Sequence, residues 1–252
     1  MQGYGEGFAE IYNMRWGGFA NRVAPRIREF YESTVLGQTD HRLLDVCCGT
    51  GQLSLHFLEH GYHVVGLDLS SAMLAHARQR TAAYRETGQA RFFEGDAADF
   101  ELDEEFGLAV ATFDALNHLP DMVSLDGCFD STRAVLVDGG YFIFDLNTPA
   151  GLQSWSGINV QDSEELMLII RGVVSNWEGR AYTQISGFLR QESGLYKRFN
   201  EVAYNTIFHL DEVVAALEHA GFSDVTLAES ASLDRPLEAP EQANRVFFVA
   251  RA

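Results

Sequence analysis

The 252-residue chain has a single lysine, three cysteines and five prolines, and its longest uninterrupted apolar runs, such as Leu166–Ile170 and Val246–Ala250, are five residues each. Runs that short fall far below the ~20 apolar residues that cross a bilayer, so no membrane association is expected. Cys47 and Cys48 are adjacent and Cys128 stands alone, which fits neither a disulfide framework nor zinc-ligand spacing. Basic residues are scarce: 18 against 36 acids, for a formal charge of −18. A surface of that sign repels phosphate backbones, so no nucleic-acid partner is expected. Met1–Ala9 carries neither the basic nor the apolar region of a secretory signal, and a cytoplasmic protein is expected. No internal repeat or low-complexity tract is present. What remains is 46% hydrophobic and 21% charged, the composition of a core-forming globular chain long enough for one α/β domain with an insertion.

Apolar positions recur at helical spacing from Phe8 to Phe30, with Gly17-Gly18 as an expected break between two helices. From His41 short apolar strands alternate with helical stretches. The strands are expected at Arg42–Cys48, His63–Leu69, Ala90–Asp96, Phe106–Phe113 and Gly140–Leu146, and the helices at Gln52–His60, Ser71–Glu86 and Asp121–Val137. Such alternation predicts right-handed crossovers and a doubly wound, mostly parallel sheet. After Asn147 it stops. Leu166–Ser175, Arg180–Gln191 and Leu195–Phe208 read as three strands joined by tight turns, an antiparallel meander. A helix, Leu210–Ala220, and two closing strands, Asp224–Ala228 and Asn244–Ala250, complete seven strands for the main sheet. The expected division is a helical segment over 1–40, a core over 41–147 and 209–252, and a β insertion over 148–208.

Three successive strand ends carry the chemistry. The first runs Leu43-Leu44-Asp45-Val46-Cys47-Cys48 into Gly49-Thr50-Gly51, where glycines let a backbone approach a ligand closely. The second ends at Asp68, placed to take ribose hydroxyls, and the third at Asp96. Ligands bind at the carboxyl ends of such sheets. A dinucleotide loop would need a glycine or alanine where Ser54 stands. The loop instead resembles the first motif of the class I S-adenosylmethionine (SAM)-dependent methyltransferases, with Cys47 in place of that motif's first glycine, and the likeness extends from about His41 to Ala252.

The resemblance implies a Rossmann-like, seven-stranded fold whose last strand is antiparallel, SAM as cofactor and S-adenosylhomocysteine as product. It implies that Asp45, Cys47, Gly49 and Gly51 form the methionine-side loop, that Asp68 and Leu69 meet the ribose, that Asp96 and Ala97 meet the adenine, and that the Phe113 backbone faces the methionine amino group. Phe8–Asn13 is similar to the family's tyrosine-containing lid, which implies that Tyr12 covers the cofactor. The β insertion resembles that of small-molecule methyltransferases, where it roofs the acceptor. The acceptor atom stays open among O, N and C, a homodimer through the insertion stays open, and an NAD(P)-dependent oxidoreductase or a non-catalytic SAM-binding protein are the alternatives.

Asp114-Ala115-Leu116-Asn117-His118 follows the fourth strand, where the family keeps residues near the transferring methyl. His118 is the first candidate for a general base and Tyr12 the second. Asn117, His118 and Asn147 are candidates for acceptor binding, and Arg15, Arg26, Arg171, Arg190 and Arg198 are possible anchors for an acceptor carboxylate. His56-Phe57-Leu58-Glu59-His60 has the spacing of a zinc-protease helix, but the inner face of that helix must pack on the sheet, and no metal is expected.

Overall fold

The structure is a computed structural model that describes Ala9, Glu10, Tyr12, Asn13 and residues 16–252. Phe8, Ile11 and Arg15, singled out above, lie outside the described residues. Ala9, Glu10, Tyr12 and Asn13 are helical and Trp16 is a turn, so the break expected at Gly17-Gly18 falls just before them; helix α1 (Gly17–Ser33) starts at Gly17 and continues through Pro25.

The core follows as β1 (Arg42–Val46), α2 (Gln52–Glu59), β2 (His63–Asp68), α3 (Ser71–Arg80), α4 (Ala82–Glu86), β3 (Ala90–Glu94), β4 (Phe106–Ala111), α5 (Met122–Ala134) and β5 (Leu136–Asn147). The expected helix over 71–86 is two helices, because the chain turns at Thr81. Helix α5 ends three residues earlier than expected, and β5 begins four residues earlier, at Leu136. Side-chain caps start the helices where the sequence offers them: Ser70 Oγ accepts from Met73 N at 3.3 Å, and Asp121 Oδ1 from Ser124 N at 2.9 Å.

Next come α6 (Pro149–Gln153), β6 (Gly157–Asp162), β7 (Leu166–Ser175), β8 (Arg180–Arg190), β9 (Tyr196–Thr206), α7 (Leu210–His219), β10 (Ser223–Ala228) and β11 (Arg245–Arg251). The seven-stranded sheet has the order β10-β11-β5-β4-β1-β2-β3, parallel throughout except for β11, which runs antiparallel to both β5 and β10. The order reverses between β1 and β4, and that switch point is where a crevice opens at the carboxyl ends of the strands.

Both faces of the sheet are covered. On one, Phe142, Phe144 and Phe248 pack with α5 and α7, and Phe144 stacks on its cross-strand partner Phe248 at 4.7 Å. On the other, Ile27 and Tyr31 of α1 pack with Phe57 and Tyr62. Burial on both faces explains the near-continuous apolar strands.

The insertion forms a separate sheet of four strands, not three, in the order β6-β7-β8-β9 and antiparallel throughout. Strand β6 escapes the sequence reading because all six of its residues are exposed at the sheet edge, so no buried face imposes alternation on it. Gly172 of β7 is required by close approach: a Cβ there would lie 1.9 Å from the Trp155 carbonyl oxygen.

Candidate functional site

The turn after β1 is built on left-handed backbone. Cys47, Gly49 and Gly51 have φ of 57°, 54° and 76°, so the cysteine that replaces a glycine does adopt a glycine conformation, a strained one for a side chain. At Gly51 a Cβ would also lie 2.9 Å from that of Ala77. Asp45 is 2% exposed, and its Oδ2 accepts from Ser54 Oγ at 2.5 Å. Burial pushes its carboxyl up to about 7 against the opposing Ser54 hydrogen bond. Asp45 and Ser54 thus brace strand end to helix beneath the loop. The residue that spoils the dinucleotide pattern is part of that brace.

Asp68 ties the second strand end to the same loop. Its Oδ2 accepts from Gly49 N and its Oδ1 from Ser70 N, both at 2.8 Å. Burial raises its pKa and the two amides oppose the rise. A carboxylate oxygen has two lone pairs, so both oxygens retain capacity for a ligand's hydroxyls. Leu69 is half-buried beside it, and Ala97 is buried. Asp96 Oδ1 accepts from Ala98 N at 2.9 Å, which rounds the turn after β3.

Tyr12 lies over the glycine loop: a Cβ on Gly49 would be 3.7 Å from its ring. The ring centroid is 5.9 Å from those of both Trp16 and Phe113. Burial and the aspartates around it, Asp114 foremost, raise the Tyr12 phenol above its ordinary value. The shift keeps the proton on the phenol, which favours His118 as the base.

Phe113 and Asp114, after β4, both take left-handed backbone, with φ of 68° and 49°. Asp145, fully buried in β5, holds them there: its Oδ1 accepts from Phe113 N at 2.7 Å and its Oδ2 from Asp114 N at 2.9 Å. Arg245 of β11 pairs with Asp145 and, at 2.6 Å, with Asp114. Its guanidinium lies over the rings of Phe19 and Phe113, 4.8 and 5.5 Å from their centroids. Neither Asp145 nor Arg245 is a candidate in the sequence reading. A lone acid inside Phe-Ile-Phe-Asp-Leu-Asn is a usable signal for the first; the second, 100 residues away, has none.

His118 ends a 3₁₀ turn, Ala115–His118. Its Nδ1 is 2.8 Å from the Tyr204 carbonyl, and its Nε2 is 4.0 Å from Asp114 Oδ2. A carbonyl only accepts, so Nδ1 carries the proton of the neutral ring and Nε2 the lone pair. Burial lowers its pKa, against Asp114 and the Tyr204 contact.

The asparagines stand differently from the expectation. Asn117 is fully buried: its Nδ2 donates to the Asn147 and Thr206 carbonyls, and its Oδ1 accepts from Asn147 N at 2.9 Å. Asn147 Nδ2 donates to Asn205 Oδ1 at 3.0 Å. Both staple the core sheet to β9, and neither lines the cavity described next. Arg26 and Arg190 pair with Glu29 and Glu164 at the surface, and Arg171 reaches Gln184; among the described residues the arginine in the cavity wall is Arg245. On α2, Arg28 Nε donates to His56 Nε2 at 3.4 Å.

A cavity of about 450 Å³ lies between the Phe113–His118 segment and the insertion sheet. Tyr12 and Trp16 wall one side, Asp114, His118 and Arg245 another, and Thr183, Ile185, Ala203 and Asn205 contribute the sheet face.

A family model described as a methyltransferase domain matches residues 43–140. The dTDP-3-amino-3,4,6-trideoxy-alpha-D-glucopyranose N,N-dimethyltransferase of Streptomyces venezuelae is 29% identical over 184 residues, 71% of this chain and 74% of the relative. Among solved structures, an S-adenosylmethionine-dependent methyltransferase from Clostridium acetobutylicum superposes with a TM-score of 0.80 at 22% identity, covering 97% of each chain. The SAM-bound amino pentose methyltransferase CalS10 from Micromonospora echinaspora superposes with a TM-score of 0.70 at 25% identity, covering 100% of this chain and 98% of its own. The matched methyltransferase domain, the methyltransferase relatives and the SAM-dependent structural neighbours together support a class I SAM-dependent methyltransferase. Its cofactor is SAM and its product S-adenosylhomocysteine, which sets the nicotinamide alternative aside. In this methyltransferase no helix among the described residues is long and apolar enough to cross a membrane.

Proposed function

We propose that this methyltransferase transfers the SAM methyl group to the nitrogen of a small amine held in the cavity under the insertion sheet. The observation that carries the reading is the cavity wall itself, where the Asp114 carboxylate and the His118 imidazole stand 4.0 Å apart beside aromatic rings. When bound, SAM supplies an activated methyl on a cationic sulfur. The residues fit that group: a loop without side chains at Gly49 and Gly51, and an Asp68 carboxylate with spare acceptor capacity. In this reading Asp68 and Leu69 take the ribose, Asp96 and Ala97 the adenine edge, and Cys47, Gly49 and Gly51 the methionine end, with Asp45 beneath them. The Phe113 carbonyl takes the methionine amino group, and Tyr12 covers the site.

An amine arrives largely as an ammonium, which has no lone pair to attack with. Asp114 and the rings of Tyr12, Trp16 and Phe113 favour that cation. Neutral His118 accepts its proton at Nε2. Holding nitrogen and methyl near ~3 Å supplies much of the acceleration. Residues 1–40 act as a lid and 148–208 as a roof, both excluding water. The relative that methylates an amino sugar supports nitrogen over oxygen. The three free cysteines support a cytoplasmic setting. The test is S-adenosylhomocysteine release with SAM and a panel of primary amines set against their matched alcohols. Turnover confined to amines is expected; turnover of alcohols alone would overturn the reading.

A further inference from the structure

The roof of the cavity holds hydrogen-bonding capacity that the fold does not use. Thr183 Oγ1 on β8 is buried without any hydrogen-bond partner. Asn205 on β9 is 2% exposed; its Oδ1 accepts from Asn147, and no hydrogen bond involves its amide nitrogen among the described residues. Thr183 pairs in register with Ala203, so Asn205, two residues further along β9, lies on the same face of the sheet. Both residues line the cavity. Around them the face is hollowed by small residues, since the row through Thr183 is completed by Gly172 and Ala203. Leaving the Thr183 hydroxyl unpartnered costs stability, and a polar group of the ligand offsets that cost.

We infer that Asn205 and Thr183 form a subsite for a hydroxyl group of the acceptor, which makes the substrate a hydroxylated amine of the amino-sugar class. The inference rests on the amine reading above and adds the part of the substrate that does not react. A hydroxyl accepts from the asparagine amide and exchanges a hydrogen bond with the threonine hydroxyl, so one group satisfies both. A carboxylate suits the site poorly. The guanidinium in the wall, Arg245, is already matched by Asp114 and Asp145, which leaves this part of the wall net negative.

Two probes differing by one hydroxyl beside the amine test it: dTDP-3-amino-3,6-dideoxy-α-D-glucopyranose and its 4-deoxy analogue, dTDP-3-amino-3,4,6-trideoxy-α-D-glucopyranose. Binding is measured by calorimetry with S-adenosylhomocysteine present, and methylation by product formation, for the wild type, Thr183→Val and Asn205→Asp. The wild type is expected to favour the 4-hydroxy probe by at least about tenfold in kcat/KM and affinity, and both variants to reduce that preference to within about twofold. Thr183→Val should do so with an unchanged or higher Tm, because it removes an orphaned hydroxyl; a merely structural threonine would not separate the two effects. A preference untouched by either variant overturns the subsite and leaves the amine reading standing. Discriminated binding with no methylation of either amine overturns the amine reading alone. Failure to bind either probe overturns the subsite.

Discussion

Asp145 Oδ1 accepts the backbone amide of Phe113 at 2.7 Å, across 32 residues of sequence. This bond, with the Asp145–Arg245 pair beside it, makes the left-handed turn after β4 a property of β5 and β11. Removing one member of a buried pair strands the other as an unpaired charge. Arg245→Met is therefore expected to cost about 3–5 kcal/mol, read as a lower midpoint in urea. An unchanged midpoint would show that the pair does not hold the turn.

Asp45 gives stability a distinctive pH dependence. Its carboxyl is pushed from 3.8 up to about 7 in the folded protein, so between those values the folded state binds more protons than the unfolded one. Stability contributed at this site is then lost as pH rises from about 4 to about 7, and is flat above. Asp45→Asn removes the effect. Its Tm advantage over the wild type, measured without cofactor, should grow from about pH 5 to about pH 8. A difference that shrinks with pH would contradict the assignment.

For His118, burial lowers the pKa below the ordinary 6.5. The ring is neutral and proton-accepting at physiological pH, and kcat/KM should hold steady down to about pH 6.5 before falling in acid. In single turnover on an amine acceptor, His118→Ala should slow the reaction by about 100-fold or more. A loss of only a few-fold would remove His118 from base catalysis.

Tyr12 makes the opposite prediction. Its phenol stays protonated, so Tyr12→Phe should retain about half or more of wild-type kcat. Tyr12→Ala, which uncovers the glycine loop, should weaken SAM binding by about tenfold, measured by titration calorimetry. Comparable loss in both variants would assign the phenol a chemical role.

In the core, Phe144 is fully buried and stacked on Phe248. Phe144→Ala should cost about 3–5 kcal/mol without changing the ratio of kcat to KM by more than about twofold, because the stack lies beneath the sheet and away from the cavity. Thermal and chemical unfolding check the first part, steady-state kinetics the second.

The central strands of the core were legible because they are buried on both faces and bounded by turn residues: β1 and β4 start at the very residues, Arg42 and Phe106, where the apolar pattern predicts them. The exposed edge strand β6 left no such trace. The glycine loop and Asp68 were legible for a related reason, since strand, turn and helix follow one another within a short stretch of chain. Cys47 shows the limit of that local reading: the left-handed position is real, but its strain is visible only in the backbone angle. Asn117 and Asn147 looked like ligand-facing amides at strand ends. Both are consumed by contacts between segments up to 89 residues apart.

The sequence by itself determined the order of strands and helices, the loop at the end of β1 and the acids at the ends of β2 and β3, because those depend on local pattern and on the period of burial. Only the tertiary structure decided that Arg245, Asp145 and Asp114 form one network, that His118 donates to the Tyr204 carbonyl, and that Thr183 and Asn205 face the same cavity. Those relations join side chains from distant segments. They are set by sheet register and by the seating of the insertion over the core, and neither is encoded in the spacing of residues along any one stretch.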